Sequence, residues 1–446
     1  VVLPFCLKKG MASLNLLESE RTQMNLNGIQ KSILDGERGQ APQKAMELIV
    51  RYAGVLGAER LCRVSWADLF CGAHHYLDVA GSDDFDRVFS TMSLCTTQTA
   101  ELKQMDRGCI CYSGVEVDCT EVPEKMLVGP DRQTKNLAML SRFVNSGVVL
   151  SGSCVPYLLG FVPLAGEHFV SCESSAVLFL NSLWGACGNG DGIEASFCAA
   201  VCGYTPLWGR HLPENRKATH VVEIQSRPES IHDWDVLGHT VGMRLPPMAV
   251  PVITGGYSRP DAIRLKAFFA SLACAAGTEM CHLEGITPEA ATIQQALGDN
   301  PDQACIPVST VDVAESVEAL NGHDRQPIDY ISLGCPHYHI DEIRRIAAFL
   351  DGRRIHPDTL VHVWTAGPFK YMADRCGYTR SIENAGAHLL TGSCPSTRGY
   401  PAGMRTAAYD AAKQRMSAAQ ETDARLFYGS VEQCLQTAIS GIWEGH

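Results

Sequence analysis

This 446-residue chain has no uninterrupted apolar run of about eighteen residues, so its sequence offers no single hydrophobic helix to cross a bilayer. Its opening, VVLPFCLKKG, precedes Met11 without the small-residue cleavage signature of a secretory signal, and residues 1–19 read as a leader or extension. Cationic residues are in deficit, 37 Lys and Arg against 49 Asp and Glu. The net charge of −12 argues against nucleic acid or an anionic membrane as the main partner. Neither Walker nor dinucleotide glycine spacing occurs, and Cys109-Ile110-Cys111 lacks the two-residue gap of the common zinc knuckle. Internal repeats and low-complexity segments are also missing. What these absences leave is a protein that meets a small molecule.

What is present is ordinary in bulk: 46% hydrophobic and 19% charged residues, on a length that suits two or three domains. Cysteine is the exception. The chain carries 19 at irregular spacing, an odd number that reads as thiols kept reduced, and hence as a cytoplasmic protein, rather than as a disulfide framework. Short apolar runs alternate with helical patterns, most clearly after Pro307, which argues for an α/β fold with parallel strands. Helices are expected over 26–39, 41–57, 174–184 and 261–275. Val250–Ile253 reads as a short strand, with Pro251 pointing to a sheet edge.

The stretch from Ile328 to Leu350, IDYISLGCPHYHIDEIRRIAAFL, carries most of the argument. It reads as a buried strand over 328–333, a glycine turn holding Cys335 and His337, and a helix with Asp341 and Glu342 in its first turn. A thiol beyond the carboxyl end of a strand and before a helix amino terminus lies where open α/β sheets place their chemistry, and there the metal-binding thiolate is favoured. Cys154 and Cys394 share that context, each following a short apolar run by way of small residues. Strand ends of a parallel sheet converge on one edge, so the three thiols could meet and hold an iron–sulfur cluster with one iron open. Other readings of the same residues are three small core cysteines, a zinc site of Cys335, His337 and His339 if the strand continued, and a cysteine-nucleophile hydrolase. Near the first sheet, Cys71 with His74 and His75 could join a site or be plain loop residues.

Several stretches together resemble the large subunit, or large domain, of aconitase X, a branch of the aconitase superfamily. They are LDGERG at 34–39, GSCVPYLLG at 152–160, GEH at 166–168, ESSAV at 173–177, GITPEA at 285–290, LGCPH at 333–337, ENAGAHLL at 383–390 and GSVEQC at 429–434. The resemblance covers the chain from about residue 20. It implies aconitase-like α/β/α layers around a central cleft, with an N-terminal region over 20–225, a middle region over 226–325 and a C-terminal region over 326–446. It further implies an iron–sulfur hydro-lyase whose cluster ligands fall on Cys154, Cys335 and Cys394. The activities known for the family are dehydration of cis-3-hydroxy-L-proline and of mevalonate 5-phosphate. The first is preferred here because the chain shows neither a phosphate loop nor the arginine often found after ESSAV, where it has Ala186-Cys187-Gly188-Asn189. A superfamily member serving as a non-catalytic iron or redox sensor is a further alternative. His168 and His337, with Glu167, are the candidates to donate to or orient the departing oxygen; Glu173, Ser174 and Lys413 are the candidates to bind substrate. The family's small subunit or domain, which carries a serine proposed as the catalytic base, is expected as a partner.

Overall fold

The computed structural model of the protein describes residues 24–71, 104–116, 130–300, 305–322, 324–393, 400–401 and 403–445. Its framework is three parallel sheets. The first has the order Val148–Val149, Ile110–Ser113, Trp66–Leu69, Phe169–Ser171. The middle sheet runs Ile306–Val308, His220–Ile224, Pro251–Gly255, His282–Leu283. The last runs His388–Leu390, Leu360–Thr365, Tyr330–Tyr338, Thr406–Tyr409, Arg425–Tyr428. Each is the α/β arrangement that alternating runs imply, and the central strand Tyr330–Tyr338 of the last sheet is buried along nearly its whole length. In the last sheet Ile331, Leu333, Val361 and Val363 are fully buried, each worth about 1.5–3 kcal/mol of apolar burial.

Pro251 is not at an edge. Its strand lies between His220–Ile224 and His282–Leu283, and the missing amide costs nothing because Pro251 is the strand's first residue. The strand expected over 328–333 instead spans Tyr330–Tyr338, with its register against Leu360–Thr365 shifting between Leu333 and Tyr338. Gly334 is at that irregularity with φ +99°. A Cβ there would lie 2.5 Å from the carbonyl oxygen of Trp364, so only glycine lets the strand pass.

The helix Ile340–Leu350 then starts on a reciprocal cap: His339 accepts from the Asp341 amide at 3.4 Å, and Glu342 Oε2 accepts from the His339 amide at 2.9 Å. Ile343, Ile346, Ala347 and Leu350 form its buried stripe. The helix expected over 174–184 is α-helical over Ser174–Phe179 and continues as a π-turn over Leu180–Trp184. Among the described residues, no helix is long and apolar enough to cross a membrane.

Candidate active site

The carboxyl ends of the first and last sheets meet. After Val148–Val149 the chain turns through Ser151 and Gly152, whose amides both donate to Ser113 Oγ, at 2.9 and 3.1 Å. A Cβ on Gly152, at φ +57°, would lie 3.3 Å from Gly392 Cα, so the close approach of the two segments depends on glycine. The Glu116 amide donates to the Gly392 carbonyl at 2.7 Å and locks that approach.

His337 closes the third side. It is fully buried; Nε2 lies 2.8 Å from the Ser393 carbonyl and Nδ1 lies 3.1 Å from Ser153 Oγ. One imidazole therefore grips the residue before Cys154 and the residue before Cys394. Burial pushes its pKa down to about 4, so the ring is neutral at neutral pH, donating from Nε2 and accepting at Nδ1. The His337 amide also points at Cys154 Sγ, 3.4 Å away. Two further groups hold the end of the Tyr330–Tyr338 strand. Lys266, itself buried, donates to the His337 carbonyl at 3.0 Å and pairs with Glu342 at 2.8 Å. Asp410 accepts from the Gly334 amide at 3.2 Å and from the Tyr338 hydroxyl, and burial pushes its pKa up to about 7.

Lys413 is in the first turn of the helix Ala412–Glu421 and faces Glu173, Cys335 and Cys154. Burial alone would pull its pKa down; those neighbours outweigh it and hold the ammonium above the usual lysine value. Glu173 responds in kind, pushed up by burial with Lys413 opposing. Ser174 is exposed at the start of the helix that Glu173 precedes. Cys71, buried beyond the carboxyl end of Trp66–Leu69, belongs to the same edge, but burial with Glu116 and Asp68 nearby holds it as a thiol. His74, His75 and Cys394 lie outside the described residues.

Two expected site residues lie elsewhere. Glu167 and His168 precede the strand Phe169–Ser171, and Glu173 follows it, so the parallel strand carries the pair to the opposite edge of the sheet. There Glu167 accepts from Trp66 Nε1 at 3.3 Å and from the Leu164 amide at 2.7 Å, while His168 faces His211. His339 does not join Cys335 and His337 as a zinc ligand either; it caps the following helix.

The fit of a cluster can be judged on these contacts. Two cysteine-bearing segments and the approach to a third are drawn together, a backbone amide is aimed at one sulfur, and a cation faces both described thiols. Amides and cations of this kind stabilise anionic sulfur. No described cysteine is in a disulfide. The chemistry of these donors fits an iron–sulfur group.

Comparison with known proteins agrees with this geometry. Family models described as the first, second and third domains of aconitase X match residues 23–214, 218–318 and 328–440. The chain belongs to the aconitase X family. It is 33% identical over 379 residues to the phosphomevalonate dehydratase large subunit of Methanothermobacter thermautotrophicus, covering 83% of this chain and 87% of that protein. It is 29% identical over 425 residues to the cis-3-hydroxy-L-proline dehydratase of Hypocrea jecorina, covering 93% of this chain and 68% of that one. The holo-form crystal structure of Thermococcus kodakaraensis aconitase X superposes with a TM-score of 0.78 at 27% identity, over 93% of this chain and all of that chain. Both the expected family and the expected hydro-lyase class are thereby met.

Proposed function

We propose that this aconitase X protein is a dehydratase acting on cis-3-hydroxy-L-proline, with an iron–sulfur cluster held by Cys154, Cys335 and Cys394. The observation that carries the substrate choice is the facing pair Glu173 and Lys413 beside the two thiols. A cyclic amino acid brings a carboxylate and an ammonium group, and a half-buried acid beside a half-buried base offers a partner to each. A phosphate dianion asks instead for several cations. Among the described residues facing Cys154 and Cys335, Lys413 is the cation at hand, since Lys266 is committed to Glu342.

When bound, the cluster supplies a Lewis acid for the departing hydroxyl. The chain's own residues do the rest of the positioning. Lys413 fixes the substrate carboxylate, Glu173 the ring nitrogen, and together they orient the carbon–oxygen bond for elimination of water. His337 has both ring nitrogens engaged, so its part is to hold the segments of Cys154 and Cys394 in register rather than to donate a proton. Glu167 and His168, at the far edge, take no part in the chemistry. The proton on carbon is taken by a base from a small subunit or domain, the partner that the name "large subunit" implies for several relatives. That the described cysteines are free thiols suits a reducing compartment such as the cytoplasm.

A second reading, mevalonate 5-phosphate, is favoured by the 33% identity to a phosphomevalonate dehydratase large subunit. Assay of the oxygen-protected protein with its small partner on both compounds decides between them. Turnover of cis-3-hydroxy-L-proline alone is expected; turnover of the phosphate alone would replace the first reading with the second.

A further inference from the structure

At the opposite edge of the first sheet, away from Cys154 and Cys335, three side chains from distant segments converge. They are Cys62 of the strand Leu61–Arg63, His168 before Phe169–Ser171, and His211 of the turn Gly209–His211. One donor atom from each falls within 4.8 Å of the others, and the two Nδ1 atoms are 3.0 Å apart. We propose that these residues form a second metal site, separate from the cluster, that takes one borderline-soft divalent ion of the zinc type.

The chemistry of the set is the reason. Two imidazoles and a thiol are the donors zinc prefers, and bond lengths of about 2.0–2.1 Å to nitrogen and 2.3 Å to sulfur place such donors about 3.3–3.6 Å from one another, so the two Nδ1 atoms open slightly from 3.0 Å and the sulfur stays within or closes from the 4.8 Å spread present. Arg216 is the nearby charge that would oppose a cation here.

The site is enclosed: His211 is 3% exposed, and Asp191, close enough to act on Cys62, is buried. Arg216, the opposing charge, is neutralised by Glu289, whose carboxylate accepts from its Nε at 3.0 Å. Binding forms a sulfur–metal bond at Cys62 and releases the thiol proton, now directed at the Thr205 carbonyl, to solvent. With donors from three separate segments, the ion would pin the amino edge of the sheet, a structural role.

Cobalt(II) as a spectroscopic probe, added to the full chain freed of iron, tests this. One equivalent should bind with a thiolate-to-cobalt charge-transfer band and tetrahedral d–d absorption, and zinc should displace it. Cys62→Ser should lose the charge-transfer band, His211→Gln should lose the bound equivalent, and Cys335→Ser should keep both signals. Melting curves of the metal-free variants check that they fold; zinc should raise the melting temperature of the parent and not of folded His211→Gln. If either folded variant binds cobalt with the parent's spectrum, or if the parent binds none outside the Cys335 site, the second site does not exist. Failure of cluster assembly would leave this result intact, and the converse also holds.

Discussion

His337 shows how much one side chain can organise. Its ring bonds to Ser153 and Ser393, and its amide addresses Cys154. Because its pKa falls from an ordinary value of about 6.5 when unfolded to about 4 when folded, the unfolded chain takes up the proton first on acidification. Its contribution is therefore whole above about pH 6.5 and is lost as pH falls towards 4, by up to about 3 kcal/mol. Urea midpoints at pH 7 and pH 4.5 should show His337→Asn less stable than the parent at pH 7, with a smaller further loss at pH 4.5. His211 and His239 titrate in the same direction in both proteins, so the difference in slope isolates His337. Lys413→Met should raise KM for the hydroxy acid by about 10- to 100-fold, the worth of a charged hydrogen bond, without changing iron content. Steady-state kinetics with iron analysis checks it; unchanged KM would remove Lys413 from the substrate.

Which of these residues could be read in advance follows from strand direction. Cys154 follows its strand as an apolar run and small residues suggest, whereas Cys335, expected beyond a strand end, lies inside the strand Tyr330–Tyr338 at its register shift. Asp410, directly after Thr406–Tyr409, carries the same mark without a thiol to draw notice. His168 and Glu173 read as neighbours because GEH and ESSAV are nearly contiguous in sequence, yet Phe169–Ser171 runs between them and sends them to opposite edges. Cys62 and His211 had no local signal, since only folding brings their segments together.

Among the elements, the strand Tyr330–Tyr338 matters most, and its length was the part least visible beforehand. Pro336 and the helix that starts at Ile340 point to an early stop, but hydrogen bonds from Lys266 to the His337 and Pro336 carbonyls and the shifted register carry the strand further. Lys266 belongs to the helix Ala262–Ala276, so the middle region of the chain braces the Cys335-bearing strand of the last. Lys266→Met strands the Glu342 carboxylate, 6% exposed, without its cation. A loss of about 3–5 kcal/mol is expected from denaturant unfolding, together with weaker cluster retention. A loss below about 1 kcal/mol would mean that the pair is not the brace argued here.

On the scale of the whole molecule, two parallel sheets offer their carboxyl edges to one another, and the proposed chemistry is at that seam. The first sheet brings Cys154 and Glu173, the last Cys335, Lys413 and the approach to Cys394. The rule that strand ends of a parallel sheet share one edge did not foresee this, because Cys154 and Cys335 belong to different sheets, and the placement of the two edges depends on glycine-permitted approaches such as Gly152 on Gly392. The most direct measurement is the iron and acid-labile sulfide content of the protein isolated without oxygen, set beside Cys154→Ser, Cys335→Ser and Cys394→Ser. The account predicts both elements in the parent and the loss of both, or of their characteristic visible absorption, in each variant. A parent without sulfide, or a folded Cys335→Ser that retains the parent's iron, sulfide and spectrum, would contradict it.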